Sequence, residues 1–244
     1  MYKRQLKNLP DNKLDEIIVL YSASIYFEFT PTQWKESNII WIPKPGKNDY
    51  KNPKAWRPIS LSNYLIKALE KLIVNQVDLT LIDNPLHPNQ HGFQKKKSTD
   101  TAISATVNFI EKHLFNNKSV LGIFLDIQAA FDTIRPDTIR NALLEHNIDT
   151  SITNWYYNYI SHRNIYTEQL GVRSSGTIRV GFPQGGVCSA KFWIIAFNRA
   201  IEIINQRGAL GIGFADYCGL LIQNDNLNYA VNTCLLYTSP SPRD

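Results

Sequence analysis

Residues 124–132 read Phe-Leu-Asp-Ile-Gln-Ala-Ala-Phe-Asp, and this stretch decides the fold that we expect for the chain. It continues an apolar run, so residues 120–127 have the length and composition of a buried β-strand that carries one carboxylate, Asp126. A buried acid near the end of a strand is typical of a functional site, because burial perturbs its ionisation. The sequence therefore predicts a site at the end of this strand.

A second acid lies downstream in a pattern typical of a hairpin. Residues 211–214 and 219–222 are short apolar runs, and the tetrapeptide Ala-Asp-Tyr-Cys lies between them. Two strand-length runs around a short connection predict paired antiparallel strands with Asp216 near the tip. Two acids on separate strands are thus candidates for one site.

The remaining patterns mix helices with strands. Apolar residues at helical spacing predict helices at 15–24, 65–73, 99–115 and 137–145, and Ser98 or Thr99 is the expected N-cap of the third. Strands are predicted at 37–43, 167–172 and 176–180, and Arg173-Ser174-Ser175 is the expected turn between the last two. The Gly/Pro-containing segment 181–189 is predicted to be a loop. An apolar helix follows this loop, is capped by Ser189 and ends near Ile203. Because the elements do not alternate strictly, the fold class is α+β.

Composition narrows the function classes. The 244 residues are 43% hydrophobic and 19% charged, which is typical of a folded globular domain. No apolar run reaches the roughly 20 residues that a membrane span requires. Three scattered cysteines indicate neither a disulfide framework nor a zinc site. These features favour an intracellular protein, nuclear or cytoplasmic, with no membrane partner.

Both ends of the sequence look foreign to the domain. Residues 1–5 and 234–244 resemble a translated adapter from a sequencing library, so we assign only residues 6–233 to the natural protein. Removing these ends takes away three positive charges and one negative charge, and the net charge falls from +5 to +3. The basic excess is mild, so the positions of the charges matter more than their sum.

Six segments together resemble a known family. Residues 124–132, Gly-Phe-Pro-Gln-Gly-Gly-Val-Cys-Ser (181–189) and Phe-Ala-Asp-Tyr (214–217) are similar to motifs A, B and C of reverse transcriptases. Upstream, Ile-Pro-Lys-Pro-Gly-Lys (42–47), Trp-Arg-Pro-Ile-Ser-Leu (56–61) and Gln-His-Gly-Phe (90–93) resemble the fingers motifs of non-LTR (LINE-type) retrotransposon enzymes. The resemblance implies a right-hand polymerase with fingers at about 30–115, a palm at about 118–233 and no thumb. A group II intron maturase-like protein, which shares this fold, is an alternative.

The resemblance implies RNA-directed DNA synthesis from an RNA template, a DNA primer and deoxynucleotide triphosphates. Such phosphoryl transfer uses two hard cations roughly 3.5–4 Å apart. Mg²⁺ prefers oxygen ligands, and Mn²⁺ is also possible. By family analogy Asp126, the Ile127 carbonyl and Asp216 are the ligands, whereas Asp132 is structural.

Tyr217 departs from the family pattern, in which motif C normally ends in two aspartates. Compared with a site that has the second aspartate, this site has one negative charge fewer. The loss matters because electrostatic stabilisation of the transition state accounts for most of the catalysis in this kind of reaction. We expect the chain to be inactive or severely impaired. A non-catalytic nucleic-acid-binding remnant of a retroelement is therefore an alternative function.

Nucleotide-binding roles are also implied by the resemblance. Arg57 and Lys44 would hold the triphosphate, and Arg can bind phosphate through two nitrogens. Phe131 would exclude a 2′-hydroxyl, and a role as a core aromatic is the alternative. Gln184 and Gly185 would lie against the incoming base pair.

Four residues are candidates for contact with the nucleic-acid strands. Gly186 would let the template and primer pass, and Lys95, Lys96 and Lys97 would contact the template backbone in a salt-sensitive way. The nearby pair His87 and His91 has a metal-ligand spacing, but the intervening Pro88 favours surface histidines instead.

Overall fold

The computed structural model describes residues 8–169 and 171–224. The adapter-like segments 1–5 and 234–244 lie outside the described residues, as does the expected palm beyond residue 224. Among the described residues no helix is both long enough and apolar enough to cross a membrane.

Seven α-helices and seven β-strands are found in the described part of the chain. In chain order they are α1 (Asp11–Tyr26), β1 (Glu36–Pro43), β2 (Trp56–Ser62), α2 (Tyr64–Asp83), α3 (Thr99–Phe115), β3 (Ser119–Asp126), α4 (Ala130–Thr133), α5 (Pro136–Glu145), α6 (Thr150–Ser161), β4 (Arg163–Gln169), β5 (Val172–Ile178), α7 (Val187–Gln206), β6 (Leu210–Phe214) and β7 (Tyr217–Asn224). The mixture confirms the α+β prediction.

The first compact unit comprises residues up to Asn84 together with Ala129–Ala196. Its four-stranded sheet has the order β2-β1-β4-β5, in which only the β1–β4 pair is parallel. The helices supply a core of large side chains that are fully buried. These include Ile66, Leu69, Leu143, Trp155, Tyr156, Tyr159 and Phe192.

The second compact unit comprises Pro85–Gln128 and the chain from Phe197 onward. Its three-stranded antiparallel sheet has the order β3-β7-β6. One cluster packs Leu220 and Ile222 against Ile204 of α7, and another packs Ile212 and Leu221 against Phe109 of α3. Apolar side chains on both faces therefore hold this sheet.

Local sequence signals explain several helix starts. Ser98 accepts a hydrogen bond from the Thr101 amide, and the Thr101 hydroxyl accepts one from the Ser98 amide, which forms a capping box at α3. Asp149 caps α6 through the amides of Ser151 and Ile152. The prediction of Ser98 as the N-cap of α3 is confirmed.

Three predictions about local structure are wrong. Strand β3 is an edge strand, and the exposed fraction of Phe124 reaches 72%, so the strand is not buried. Arg173-Ser174-Ser175 lies inside β5, because Gln169 pairs with Val172 and the reversal falls between them. His91 is buried at 7% exposure and is not a surface histidine.

Candidate active site

The two candidate acids lie at the same end of the three-stranded sheet. Asp126, the last residue of β3, pairs with Tyr217, the first residue of β7. The Ile127 amide donates to the Asp216 carbonyl over 3.0 Å, so Ile127 and Asp216 form a hydrogen-bonded pair of the antiparallel ladder. Asp126 and Tyr217 therefore form a non-hydrogen-bonded pair, whose side chains share a face with Cβ atoms about 4.5–5.5 Å apart.

Solvent reaches this end of the sheet. Asp126 is exposed, Asp216 is half-buried and 57% of Tyr217 is exposed. Within the described residues no group of three His, Cys, Asp or Glu side chains could hold a metal ion. Two carboxylates and a backbone carbonyl suit a hard cation that keeps much of its water, because Mg²⁺ dehydrates reluctantly.

The tip that carries Asp216 is held by the segment before α3. Ala215 has a φ of 55°, which is unusual for a residue with a side chain. A Cβ atom added at Gly92 would lie 2.4 Å from the Ala215 amide nitrogen, so only glycine lets the two backbones meet. The His91 amide donates to the Gly213 carbonyl at 2.7 Å, and the Gly213 amide donates to the Asn89 carbonyl at 2.9 Å. The Gln-His-Gly motif thus fixes the hairpin that carries the acid.

His91 is part of this support. Its ring Nδ1 lies 2.8 Å from the Thr101 hydroxyl at the start of α3. Burial and, to a smaller extent, Lys97 lower the pKa of His91, so the neutral ring is favoured. The motif therefore positions the hairpin with an uncharged histidine.

The three consecutive lysines differ in their surroundings. Lys95 and Lys96 are exposed, whereas the Lys97 ammonium donates to the carbonyls of Pro88 and Gln90. Burial also lowers the pKa of Lys97. Lys97 therefore stabilises the turn before α3, while the predicted nucleic-acid contact of the other two stays a prediction.

In the first unit, three of the five predicted nucleotide-binding residues lie around β2. The Ser60 amide donates to the Gln184 carbonyl at 2.7 Å. Gly185 has a φ of +104°, a conformation that L side chains rarely adopt, and its Cβ position lies 3.4 Å from Ile59 Cγ2. Because residues of a strand alternate between faces, Ile59 shares its face with the exposed Arg57. The structure thus brings Arg57, Gln184 and Gly185 to the same region.

Gly186 has a packing reason to be small. An added Cβ would lie 2.6 Å from the Ser189 hydroxyl and 2.8 Å from a ring carbon of Pro183. The Ser189 hydroxyl itself donates to the Pro183 carbonyl at 2.8 Å. The loop therefore closes on itself here, and passage of nucleic acid past Gly186 stays a prediction.

Lys44 and Phe131 each have partners within the first unit. The Lys44 ammonium donates to the Lys54 carbonyl at 3.0 Å. The half-buried Phe131 ring lies 5.9 Å from that of Phe182 and 5.7 Å from that of Trp193. One part of Phe131 is thus in an aromatic cluster and another part meets solvent, which is compatible with both predicted roles.

Glu70 is a buried acid whose structural role the sequence prediction missed. Its buried carboxylate accepts hydrogen bonds from the amides of Val187 at 3.1 Å and Cys188 at 3.4 Å, the first residues of α7. Burial raises its pKa to about 7, against the opposing effect of these two amides. Glu70, and not Ser189 as predicted, therefore caps α7, which follows the Gln184-Gly185 loop. Its position within the apolar stripe of α2 was the available signal.

Arg163 is a second missed residue. It is buried and donates to the carbonyls of Val180 at 3.1 Å and Gly181 at 2.9 Å, which anchors the start of the same loop. Burial lowers the pKa of its guanidinium. No local sequence pattern marks Arg163, because its partners are backbone atoms distant in the chain.

Comparison with solved structures defines the fold as that of a fingers-and-palm polymerase. Telomerase from Candida tropicalis, solved in complex with a fragment of telomeric RNA, matches 84% of this chain and 38% of that chain with a TM-score of 0.62. The sequence identity is 12%, so the likeness concerns the fold alone.

The chain belongs to the reverse transcriptase (RNA-dependent DNA polymerase) family, whose pattern matches residues 42–235. It is 28% identical over 239 residues to a probable RNA-directed DNA polymerase from transposon BS of Drosophila melanogaster, covering 92% of this chain and 25% of that protein. It is 30% identical over 233 residues to the RNA-directed DNA polymerase from mobile element jockey of the same fly, with the same coverage. The chain therefore spans about a quarter of the length of these relatives.

Proposed function

We propose that this chain carries the nucleotidyl-transfer centre of an RNA-directed DNA polymerase of the non-LTR type, and that Tyr217 impairs it. The observation that supports the proposal is the β3–β7 pairing, in which Asp126 pairs with Tyr217 and the Ile127 amide bonds to the backbone of Asp216. A carboxylate at position 217 would complete a group of three. A phenol there adds bulk without charge.

Asp126, the Ile127 carbonyl and Asp216 would hold Mg²⁺, or Mn²⁺, which when bound supplies charge neutralisation for phosphoryl transfer. The chain's own contribution would be to hold Asp216 on a rigid hairpin and Asp126 on the strand paired with that hairpin. Gly92 and His91 hold that hairpin through backbone contacts. Preorganised ligands matter because they cost no reorganisation during the reaction.

The first unit would bind the deoxynucleotide triphosphate. Arg57 is exposed on β2 and can bind phosphate oxygens through two nitrogens. Gln184 and Gly185 are anchored on β2 near it. The exposed part of Phe131 would lie against the sugar and disfavour a 2′-hydroxyl, and Lys44 would add positive charge.

A second candidate function is nucleic-acid binding without catalysis. Tyr217 and the missing third carboxylate favour it, because binding through phosphate contacts requires no metal. In this case the exposed Lys95 and Lys96 would still contact the RNA template or DNA primer.

A primer-extension assay separates the two functions. The chain and its Tyr217→Asp variant are each given an oligo(dT) primer on poly(rA), dTTP and Mg²⁺, with Tyr217→Asp/Asp126→Asn as the matched inactive control. The proposal expects extension by Tyr217→Asp and little or none by the other two proteins. Efficient extension by the unaltered chain would overturn the role of Tyr217. Template binding by all three proteins without any extension would favour the second candidate.

A further inference from the structure

A cleft of about 390 Å³ opens on the first unit beside the β1–β2 hairpin. It is lined by Trp41, Tyr50, Lys51, Pro53 and Trp56. This volume is within the range of about 300–1,000 Å³ typical of sites for small organic groups. Three aromatic rings and a lysine around one cleft suit a ligand that is both flat and anionic.

The hydrogen-bonding groups of the aromatic side chains are already used within the chain. The Trp56 indole donates to the Tyr50 carbonyl at 2.9 Å, and the Tyr50 hydroxyl donates to the Lys44 carbonyl at 2.9 Å. The Trp41 indole donates to the Thr167 hydroxyl at 3.2 Å. The rings are therefore held in place, and they offer a ligand mainly their apolar surfaces.

The rings remain open to solvent although they are fixed. The exposed fraction is 38% for Trp41 and 42% for Tyr50. The Tyr50 and Trp56 rings have centroids 5.8 Å apart and planes inclined at 71°, so they pack edge to face. This arrangement leaves ring faces available for stacking.

The cleft lies on the other face of the hairpin from Arg57. Trp41 pairs with Pro58 and Pro43 pairs with Trp56, which places the two tryptophans on one face. Arg57 pairs with Ile42 and projects from the opposite face. The cleft is thus separate from Arg57, which is proposed to bind the triphosphate. A ligand could therefore bind in the cleft whether or not the chain is catalytically active.

The charges around the cleft favour a polyanion. Residues 44–57 contain five cationic side chains and one acid, Asp49. Lys47, Lys51 and Lys54 are exposed, and the Asp49 carboxylate accepts a hydrogen bond from the Lys51 amide. The surface next to the rings therefore has a positive excess.

We propose that this cleft binds an unpaired base of a single-stranded nucleic acid by stacking, while Lys51 and its neighbours contact the adjoining phosphates. Aromatic stacking accepts any base, because every base has a π-face. The aromatic polar groups already have partners within the chain, so the rings do not select for a 2′-hydroxyl. RNA and DNA strands are therefore bound alike. A proline-rich peptide would also suit aromatic rings, but it gains nothing from the lysines.

The test measures anisotropy of fluorescein-labelled rU12 and dT12 with the full chain, without metal or nucleotide. Trp41→Leu is expected to weaken binding of both strands roughly 5- to 150-fold, since stacking contributes about 1–3 kcal/mol per base. Trp41→Phe, which keeps a ring, should lose less. Phe115→Leu is the matched control, because Phe115 is 90% exposed and lies outside the cleft.

Intrinsic fluorescence gives a second readout within the same titration. Of the five tryptophans, Trp34, Trp155 and Trp193 are buried, so solvent-exposed quenching reports mainly on Trp41 and Trp56. Binding of either strand should shield these two residues from iodide. If iodide quenching is unchanged at saturating concentrations of rU12 or dT12, the strand does not occupy the cleft and the proposal is contradicted.

The phosphate contact has its own test. Lys51→Gln should reduce the slope of log affinity against log salt by about 0.7, the value for one phosphate on a single strand. Lys71→Gln, at an exposed lysine of α2, should leave the slope unchanged.

Two further results would overturn the proposal. The first is wild-type affinity in Trp41→Leu together with lost affinity in Arg57→Gln, which would assign binding to the other face of the hairpin. The second is tight binding of a proline-rich peptide that displaces neither strand. Because no catalysis is measured, failure here is distinguishable from failure of the proposed polymerase function.

Discussion

Replacing Tyr217 by aspartate should strengthen divalent metal binding at the end of the three-stranded sheet. Tyr217 is paired with Asp126 on the same face of the sheet, so the new carboxylate would lie about 5 Å from the existing one. A cation held there gains the attraction of one more negative charge. For a dication and a unit charge about 5 Å apart in water, Coulomb's law gives about 1.7 kcal/mol. This free energy corresponds to roughly 15-fold tighter binding.

The assay is titration of Mn²⁺ followed by the paramagnetic resonance of the free ion. Tyr217→Asn is the matched control, because it removes the phenol without adding charge. We expect Tyr217→Asp to bind about 15-fold more tightly than the chain itself, with Tyr217→Asn close to the chain. Equal affinity in the Asp and Asn variants would refute the charge argument and show that bulk alone distinguishes Tyr217. An unchanged affinity in Tyr217→Asp/Asp126→Asn would place the metal elsewhere.

Three further predictions concern stability and positioning. Glu70 has a folded-state pKa of about 7 against an ordinary value of 4.5, so the free energy of unfolding should fall as the pH rises between these two values. In urea titrations at several pH values, Glu70→Gln should make this pH dependence shallower. An equally steep pH dependence in Glu70→Gln would contradict the prediction. Gly92→Ala should cost about 1–3 kcal/mol and weaken Mn²⁺ binding, since its Cβ would meet the Ala215 backbone, whereas Gly176→Ala has open space and should change neither quantity. Phe131→Ala should cost about 2 kcal/mol in thermal unfolding, roughly half the value for a buried phenylalanine, and a loss of about 4 kcal/mol would instead identify Phe131 as a core residue.

Periodicity and capping were sufficient to predict most helices and the hairpin of the second unit. The α3 range from Thr99 to Phe115 is the clearest case, because a serine cap precedes a regular apolar stripe. The hairpin around Asp216 was similarly marked by two apolar runs. Both signals are local, and local interactions decide these elements.

The errors arise where tertiary context decides. An apolar run such as β3 is expected to be buried, yet an edge position leaves Phe124 exposed. The turn was assigned to Arg173-Ser174-Ser175, whereas the register of β4 against β5 moves it towards Gly171. Composition alone does not determine strand register, because polar residues suit a solvent-facing strand as well as a turn.

The residues of the candidate site also fall into two groups: those that the sequence marks and those that only the folded structure reveals. Asp126, Asp216 and Arg57 could be selected because motif spacing marks them. Glu70 and Arg163 could not be assigned roles, because each acts on backbone groups more than ten residues away in sequence. Their contribution is to hold the Gln184-Gly185 loop and α7, which becomes visible only when the chain is folded.

The most direct test of the central claim is the position of Mn²⁺ in crystals of the Tyr217→Asp protein, located by its anomalous scattering. We expect a peak within about 2.1 Å of carboxylate oxygens of both Asp126 and Asp216, strengthened by the charge of the new aspartate nearby. Crystals of the unaltered chain should show a weaker peak at the same place. A strong peak bound by neither acid, or an equally strong peak in both proteins, would contradict the account.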